Sequence, residues 1–452
     1  MSSGEDVASI DTAALPGATV KELKQKLQRH VGQPRFRQRL LSVAGDILDD
    51  DMEVTQLPPE PVILLVLLSF STPSSKEKYE WFHAASSCEI GRLETFLLQP
   101  YDPNVFSQNG QTALHLLAAA GSVACCQLLL EAKGEINKLT LPSFGVGVAP
   151  LHMACVSGHH EVVRLLIQEA ADANKTTTDG DTPMHIAAFN GQLEVVRLLL
   201  DAGADKEKAT IDFSMASPLL VASRGGHFEV VRLLIESGAD LDKATKSTGF
   251  TSLLVASQKG HAEVVRLLIE AGADKEKSSN GGITPLIMAS QRGHLDVVRL
   301  LVDAGADKDK ATSQDEATPL LMASQENRLE VVRCLIIAGA DKNKAATTSG
   351  VTPLLIAAQR DHLEVAKLLL EAGADLDKAT TDGTTPLLAS CAAGHLQMSQ
   401  LLAEHGADHA AVREDGATAA SMAMEAGHLE VEEFLQQLSK KRRKIAGQGE
   451  DD

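Results

Sequence analysis

ITPLIMASQRGHLDVVRLLVDAGAD, residues Ile283–Asp307, is the clearest copy of a stretch that most of the chain repeats with variations. Thr284 and Pro285 predict the start of a first helix, since the Thr hydroxyl can accept from an unpaired backbone N–H and Pro there gives up a donor without a partner. Gly293 predicts the end of that helix in the left-handed region. A second helix follows, because apolar residues recur at roughly helical spacing until Gly305.

Copies of this unit follow one another at a nearly constant spacing. From Thr112 to Thr418 the opening residue recurs at steps of 37, 33, 35, 34, 33, 34, 34, 33 and 33 residues. Isolated helices below about 12–15 residues are marginal in water, so each unit is expected to stack on its neighbours. One copy opens with Thr182–His185 and closes with Gly203–Asp205. A period near 33 residues with a T-P-L-H-x-A opening resembles the ankyrin repeat.

The resemblance implies the organisation of most of the chain. It implies an ankyrin repeat array with terminal caps over residues 79–437, in about eleven repeats. Residues 71–78, which are polar, are predicted to be a linker, and residues 438–452 a disordered tail that is basic and then acidic. The predicted fold class is mainly α: an ankyrin-repeat solenoid preceded by a small α+β domain at residues 1–70.

The N-terminal domain combines one amphipathic helix with short apolar runs. An apolar stripe predicts a helix from Val20 to Val31, and the runs Arg39–Val43 and Val62–Leu68 predict strands. Helix, turn and strands in this order resemble the ubiquitin-like β-grasp fold. Only Asp6–Ile10 remains as a candidate for the hairpin that normally opens this fold, so the first strand is expected to be missing or the hairpin incomplete.

The ubiquitin-like resemblance also implies a docking patch. Domains of this family bind partners through an apolar patch on the sheet, and Leu41 and Val66 match positions that contribute to it. The alternative is that both are simply strand residues. No Gly-Gly tail follows Phe70, so a conjugated modifier is not expected.

Composition restricts the function classes. The 452 residues are 44% apolar and only 3% aromatic, with a formal charge of −19. Few aromatics suit the narrow aliphatic core of a repeat array, and the negative charge favours solubility over nucleic-acid binding. The longest apolar run is too short to span a bilayer, and no secretory pattern is visible. We expect a monomeric protein of the cytoplasm, the nucleus or both, with no membrane partner.

Patterns for catalysis, cofactor binding or metal binding are not found in the sequence. It has no P-loop, G-x-S-x-G, H-E-x-x-H or kinase signature, and its six cysteines form no C-x-x-C pair. Histidines that start second helices recur once per repeat, too far apart to share one metal ion. The family's inter-repeat histidine is present at His115, His152 and His185, and later repeats are expected to replace this polar tie with apolar contact. The sequence therefore predicts no enzyme and no cofactor.

Two rows of side chains are predicted on the surface of the array. In the outer row, a basic residue lies three residues after an acid on each second helix, which predicts exposed ion pairs worth about 0.2–0.5 kcal/mol each. The groove row comes from the ends of the first helices, which solenoid curvature turns towards a concave groove. The outer row consists of Arg164, Arg197, Arg232, Arg266, Arg299, Arg333 and Lys367. The groove row consists of Arg224, Gln258, Lys259, Gln291, Arg292, Gln325, Glu326, Gln359 and Arg360.

The groove row is the predicted partner-binding surface. Its residues are long, polar and variable from copy to copy, and ankyrin proteins generally bind partners through the groove and the finger tips between repeats. Phe213, Met215 and Phe250 lie at such tips and are predicted to be exposed apolar anchors.

A basic run stands out in the C-terminal tail of this acidic chain. It resembles a monopartite nuclear import signal, and the alternative is a solvated helix end whose cations complement the helix dipole. The run consists of Lys440, Lys441, Arg442, Arg443 and Lys444.

These observations predict a non-catalytic protein-interaction scaffold or adaptor. The array would bind a protein partner, and the ubiquitin-like domain would offer a second docking surface. Two alternatives are a regulatory subunit of an enzyme complex in the ubiquitin system and a self-associating structural spacer.

Overall fold

The computed structural model describes residues 18–42, 47–56, 64–67, 70–99, 101–210 and 216–446. The chain forms two compact units, Met1–Asp212 and Phe213–Asp452. The division therefore falls inside the repeat array, whereas the sequence predicts a domain boundary at residues 71–78. Within the described residues the array contains eleven helix pairs, four in the first unit and seven in the second.

The first unit contains two short strands and nine α-helices within its described residues. The elements before the array are α1 (Val20–Val31), a 3₁₀ helix (Arg35–Arg37), β1 (Gln38–Leu41), a 3₁₀ helix (Val54–Gln56) and β2 (Leu64–Leu67). The helix pairs are α2 (Ser75–Ser86) with α3 (Ile90–Leu97), α4 (Ala113–Ala120) with α5 (Val123–Glu131), α6 (Pro150–Ser157) with α7 (His160–Gln168), and α8 (Pro183–Phe189) with α9 (Leu193–Asp201). A 3₁₀ helix (Pro142–Phe144) precedes α6.

The second unit consists of helix pairs throughout its described residues. They are α10 (Pro218–Gly225) with α11 (Phe228–Glu236), α12 (Ser252–Lys259) with α13 (Ala262–Glu270), α14 (Pro285–Arg292) with α15 (Leu295–Asp303), α16 (Pro319–Gln325) with α17 (Leu329–Ile337), α18 (Pro353–Gln359) with α19 (Leu363–Glu371), α20 (Pro386–Ala392) with α21 (Leu396–Glu404), and α22 (Ala419–Glu425) with α23 (Leu429–Ala446).

The predicted start and stop signals operate in the structure. Thr284 caps α14, and its hydroxyl accepts a hydrogen bond from the backbone N–H of Ile287 at 3.2 Å. Gly293 ends the same helix with φ of +82°. Asn327 and Asp361, which stand where other repeats have this glycine, also adopt positive φ, at 55° and 59°. Short polar side chains tolerate this region better than others do.

Each helix pair buries one apolar face against its neighbours. In the pair α14 and α15, Leu286, Ile287, Val298 and Leu301 are at most 1% exposed. First helices pack on first helices and second helices on second helices within each unit. Fully burying an aliphatic side chain contributes about 1.5–3 kcal/mol, so the stacking supplies the stability that short helices lack alone.

The N-terminal module, residues 18–67, packs α1 against one face of a small sheet. Strands β1 and β2 are antiparallel, with Arg39 opposite Val66 and Leu41 opposite Leu64. The module's own core contains Val20, Leu23, Leu40, Leu48 and Val54. A helix on a two-stranded sheet is compatible with the small α+β domain expected here, and ubiquitin-like identity stays a prediction. The candidate first strand Asp6–Ile10 lies outside the described residues.

A buried arginine joins the N-terminal module to the array. Arg35 is 1% exposed and donates to Asp50 Oδ2 at 3.1 Å and to Glu94 Oε1 at 2.8 Å. Its Nε also donates to Glu131 Oε2 at 3.4 Å. Lys24 pairs with Asp50 and Lys21 pairs with Glu94. Because Glu94 lies in α3 and Glu131 in α5, the ion network holds the module against the first two helix pairs.

Two predicted boundaries are wrong. The first array helix begins at Ser75, inside the predicted linker, because Ser74 and Glu77 form a capping box. The serine hydroxyl accepts from the N–H of Glu77, whose carboxylate accepts from the N–H of Ser74. The final helix α23 continues to Ala446, so residues 438–446 are helical instead of disordered. A basic run at this end suits the negative pole of the helix dipole.

A row of buried serines runs through the first helices of the second unit. Ser223, Ser257, Ser290 and Ser324 are 0% exposed, and their hydroxyls have no hydrogen-bond partner among the described residues. Ala358 takes the same place in the next first helix. A buried hydroxyl without a partner costs about 1–3 kcal/mol.

We expect Ser257→Ala to raise the free energy of unfolding by about 1 kcal/mol, because it removes a buried and unpaired hydroxyl. Urea unfolding followed by circular dichroism measures the change. Ser390→Ala is the matched control, since the Ser390 hydroxyl donates to the carbonyl of Leu387 at 2.9 Å and should stabilise the fold. A loss of stability in Ser257→Ala as large as that in Ser390→Ala would contradict the prediction.

Candidate functional site

The groove row lies at the C-terminal ends of successive first helices in the second unit. These helices, α10, α12, α14, α16 and α18, pack side by side, so the row forms one stripe. All nine side chains are in the described part of the chain. The exposed members are Arg224, Lys259, Arg292, Gln359 and Arg360, and the half-buried members are Gln258, Gln291, Gln325 and Glu326.

The backbone of this row is held by the repeat that follows. Carbonyl groups at a helix C-terminus have no hydrogen-bond partner within the helix. Here the residue immediately before the second helix of the next repeat provides a side-chain partner. His261 Nε2 lies 3.1 Å from the carbonyl oxygen of Arg224, and His294 Nε2 lies 3.0 Å from that of Gln258. His362 and His395 make the same contact with Gln325 and Gln359, and Arg328 Nε donates to Gln291 at 3.2 Å.

These contacts add to one expectation. The leucines that replace the motif histidine are buried as predicted, for example Leu254 at 0% exposure, and a second histidine position adds a polar tie between repeats. Arg328 stands in that position and performs the same role. The recurrence of one histidine per repeat was the signal in the sequence, and only the packing of one repeat on the next shows its partner.

Glycine helps this contact in a way that the sequence does not show. A Cβ added to Gly260 would lie 2.6 Å from His294 Nδ1, and one added to Gly293 would lie 2.7 Å from Arg328 Cδ. The glycine that ends a first helix therefore does two things: it adopts the left-handed conformation, and it leaves room for the side chain of the next repeat.

The charges of the two rows are balanced differently. Every basic member of the outer row pairs with the acid three residues earlier, for example Arg299 with Asp296 at 3.8 Å and Lys367 with Glu364 at 2.8 Å. This confirms the predicted ion pairs. The remaining pairs also follow the predicted spacing, at Arg164, Arg197, Arg232, Arg266 and Arg333.

The cations of the groove row are not neutralised in this way. Among the described residues, no ion pair is formed by the side chains of Arg224, Lys259, Arg292 or Arg360. The one acid of the row, Glu326, accepts a hydrogen bond from Gln325 at 3.2 Å. The row therefore presents unpaired positive charge on an acidic protein.

Of the three apolar residues predicted at the finger tips, only Phe250 lies in the described part of the chain. Phe250 is half-buried and packs against Ala216, Leu220, Val221 and Val255, so it belongs largely to the core of the second unit. Phe250 is therefore less exposed than predicted, because an aromatic ring beside an aliphatic helix face gains from burial there, and its role as an anchor stays a prediction. Phe213 and Met215 lie outside the described residues.

Leu41 and Val66 lie on the same face of the small sheet. Leu40 and Leu65 point to α1, and the alternation along a strand turns Leu41 and Val66 to the opposite face. Both are half-buried. The pair is therefore placed where a docking patch would be, and its binding role stays a prediction.

The basic run from Lys440 to Lys444 lies in the last helix, α23. Lys440 is exposed. A helical setting is consistent with the alternative that the run is a helix end, and the import role stays a prediction.

A cleft that sequence reasoning missed lies beside the end of the groove row. Its volume is about 410 Å³, and Gln359, Ala389, Ala392, Ala393 and Met422 line it. Loop residues Thr380, Asp382 and Thr384, which precede α20, and Arg413, which precedes α22, complete the wall. The cleft belongs entirely to the second unit. Pockets of this size are typical of ligand sites in proteins.

Buried histidines provide the inter-repeat ties of the first unit. The N–H of Thr112 donates to His115 Nδ1 at 3.2 Å, so Nε2 carries the proton and donates to the carbonyl of Val148 at 2.9 Å. His152 makes the same pair of contacts with Ala149 and Lys175. Burial lowers the pKa of His115 and that of His152 to about 4, so both are neutral near pH 7.

Potential metal ligands and thiols are the remaining groups of chemical interest among the described residues. No group of three or more potential metal ligands occurs among the described residues. Burial raises the pKa of the Cys126 thiol to about 12 and raises that of Cys155 as well, which disfavours the nucleophilic thiolate. Within the described residues, no helix is both long and apolar enough to cross a membrane.

The family assignment rests on the repeated unit found in both parts of the chain. This unit is a stacked pair of short helices that starts at Thr-Pro and has a glycine at the end of its first helix. The family model described as Ankyrin repeats (3 copies) matches residues 81–176, 134–210, 210–279, 286–380 and 354–444, which together make up most of the chain. The chain belongs to the ankyrin repeat family. Ankyrin repeats imply a role in protein–protein interaction, and this agrees with a site made of surface side chains.

Curated relatives share stretches of this ankyrin repeat protein. The chain is 30% identical to human Ankyrin repeat and SOCS box protein 3 over 99 residues, 22% of this chain and 19% of the relative. It is 38% identical to human Protein phosphatase 1 regulatory subunit 27 over 73 residues, 16% of this chain and 45% of the relative. With human Protein fem-1 homolog A the identity is 43% over 63 residues, 14% of this chain and 9% of the relative. The chain thus spans less than half the length of each of these relatives.

Proposed function

We propose that this ankyrin repeat protein is a non-catalytic scaffold or adaptor that binds a protein partner through the groove row. One observation carries the proposal. The cations of the outer row are neutralised by neighbouring acids, whereas the groove-row cations Arg224, Lys259, Arg292 and Arg360 form no ion pair among the described residues. Unpaired charge on a fixed backbone is suited to a partner, since it needs little ordering on binding.

The contacts between repeats support this assignment. The next repeat holds the carbonyl of Gln258, Gln291, Gln325 and Gln359 in place. A backbone that is already ordered loses less conformational entropy on association than a mobile one does. The histidine or arginine before each second helix thus fixes the backbone that carries the groove row.

The N-terminal module is the proposed second docking surface, through Leu41 and Val66. Both side chains lie on the sheet face away from α1 and retain partial exposure. The ion network around Arg35 supports a fixed position for the module against the first helix pairs. A scaffold with two docking surfaces can hold two partners together, which is how an adaptor works.

A role as the regulatory subunit of an enzyme complex is the second candidate. One relative over 73 residues is named Protein phosphatase 1 regulatory subunit 27. The binding surface would be the same, and the difference lies in whether the captured partner is an enzyme.

The test is a variant in which alanine replaces Arg224, Gln258, Arg292, Gln325 and Arg360. We expect affinity capture from cells of the native organism, quantified by mass spectrometry, to show at least a tenfold loss of the proteins that the intact chain retains. Three of these side chains are exposed and two are half-buried, and none belongs to the fully buried faces, so the thermal unfolding temperature should change little.

The matched control replaces five exposed outer-row residues of the same unit with alanine: Arg232, Arg266, Arg299, Arg333 and Lys367. We expect this variant to retain the same proteins as the intact chain. The groove-row proposal is wrong if the groove variant keeps its partners, or if both variants lose them equally.

A further inference from the structure

The cleft beside the groove row results from three small side chains in one repeat. Ala389, Ala392 and Ala393 occupy the places that Ile356, Gln359 and Arg360 fill in the preceding repeat. The long side chains of the row therefore stop here. Because the helices α18 and α22 pack on either side of α20, the shorter side chains contribute to a space of about 410 Å³.

The walls of this cleft combine apolar surface with polar side chains, among them one cation, Arg413, and one acid, Asp382. Val351, Leu355 and Met422 contribute apolar wall. Arg413 reaches the cleft from its loop, and its guanidinium pairs with Asp382 at 3.1 Å and with Asp415 at 3.4 Å.

One donor of Arg413 is not used. Its Nε is buried and has no hydrogen-bond partner in the described part of the chain. A buried donor without a partner costs about 1–3 kcal/mol, so a ligand whose peptide carbonyl reached this donor would recover that cost.

The cleft is continuous with the unpaired cations. Gln359 of the groove row lines it, and Arg360 is the next residue. Arg292, Lys259 and Arg224 follow at successive repeats of the same stripe, with Glu326 as the one acid between them. A ligand that fills the cleft and continues along the row therefore meets positive charge.

Resting on the function proposed above, we infer that the partner segment is an extended acidic peptide whose apolar side chain enters the cleft. Neighbouring helices pack about 8–10 Å apart, so the stripe from Arg224 to Ala393 spans about 40–50 Å. An extended chain rises about 3.3–3.6 Å per residue and covers this distance in about 12–15 residues. Arg360 lies one repeat from the cleft, which places a carboxylate about three residues from the apolar anchor.

Nucleic acid is a poorer fit to the same surface. Proteins that bind single strands stack bases on aromatic side chains, and none of the residues that line the cleft is aromatic. Asp382 and Asp415 flank Arg413 and would repel a phosphate. The apolar walls instead suit an aliphatic or aromatic side chain.

The experiment selects a displayed library of random 16-residue peptides on the full chain and measures the winners, as synthetic peptides, by fluorescence anisotropy. We expect them to carry an excess of Asp and Glu and one aliphatic or aromatic residue at a constant position. Replacing that residue with serine should weaken binding at least tenfold.

Three variants then locate the peptide. The first, Arg292→Gln with Arg360→Gln, should weaken binding at least fivefold and reduce its salt dependence. The second, Ala392→Gln with Ala393→Arg, fills the cleft with the side chains of the preceding repeat and should also weaken binding at least fivefold, although it adds a cation. The control, Arg299→Gln with Arg333→Gln on the outer face, should change affinity less than twofold. Thermal unfolding of each variant checks the fold.

The possible outcomes separate this inference from the function on which it rests. Peptides without acidic excess that still lose affinity in the groove variants would overturn the inference and leave the scaffold proposal standing. Tighter binding by the cleft-filled variant would show that charge alone acts, which also overturns it. Displacement of the peptide by polyuridylate RNA at equal charge would favour nucleic acid. Failure to select any peptide would overturn the inference, and the affinity capture described above would still test the scaffold proposal separately.

Discussion

Replacing Arg35 with methionine is expected to lower the free energy of unfolding of the first unit by about 3–5 kcal/mol. Methionine has a similar length and keeps much of the packing. Its substitution leaves Asp50, Glu94 and Glu131 without the guanidinium that now binds all three. Removing one partner of a buried ion network costs more than the network contributes, because the remaining charges stay partly desolvated.

The pKa of Glu94 reports on the same network. Burial by itself raises this pKa, but hydrogen bonds and charges from Lys21 and Arg35 outweigh burial, and the pKa lies below its ordinary value. With Arg35 removed, the pKa should rise. Ionised Glu94 contributes stability to the folded chain above the ordinary carboxyl pKa, and this contribution is lost in acid. The contribution should be smaller in the Arg35 variant.

Urea unfolding of the full chain, monitored by the fluorescence of its one tryptophan, Trp81, reports on the first unit. Lys21→Met is the matched control: it removes a charge from the same carboxylate, yet the Lys21 side chain is 36% exposed and should contribute less than about 1 kcal/mol. Equal effects of the two substitutions would mean that Arg35 does not fasten the N-terminal module to the array.

Acid is expected to destabilise the first unit through its buried histidines. The pKa of His115 and that of His152 are lowered to about 4, chiefly by burial, whereas an exposed histidine titrates near 6.5. Between about pH 6.5 and pH 4 the unfolded chain therefore binds more protons than the folded one. Stability is present above the unfolded pKa and falls as the pH drops towards the folded pKa, by about 3 kcal/mol for each histidine.

The measurement is the free energy of unfolding of the first unit at several pH values between 7 and 4, by urea titration. The variant His115→Leu with His152→Leu should lose most of the pH dependence, although it also loses stability at pH 7. Leucine already stands at this place in later repeats, for example Leu254. The control is His160→Gln, which alters a half-exposed ring. An unaltered slope in the double variant would contradict the assignment.

The helices and their ends could be predicted because their signals are local. Thr284 binds a backbone N–H three residues away, Gly293 ends its helix by its own φ, and each outer-row arginine meets an acid three residues earlier. Interactions over three or four residues depend only on helix geometry. For the same reason the capping box of Ser74 and Glu77, three residues apart, is a local signal, and it starts a helix inside the predicted linker.

Contacts between repeats were beyond the sequence because they join residues far apart in the chain. Arg35 meets Glu131 across 96 positions, and His294 meets the carbonyl of Gln258 across 36. Phe250 reads as a loop residue until the packing of α10 and α12 shows the aliphatic surface that buries it. Whether a side chain is exposed depends on what the neighbouring repeat places next to it.

The sequence by itself determined that this chain is a stack of helix pairs and which residue of each pair varies, since period, caps and apolar spacing are properties of one repeat. Only the tertiary structure decided which variable residues are available to a partner. Burial turned Phe250 inward, ion pairs neutralised the outer row, and three alanines opened a cleft between α18 and α22. Availability depends on packing and charge balance between repeats, and those are set only when the repeats are stacked.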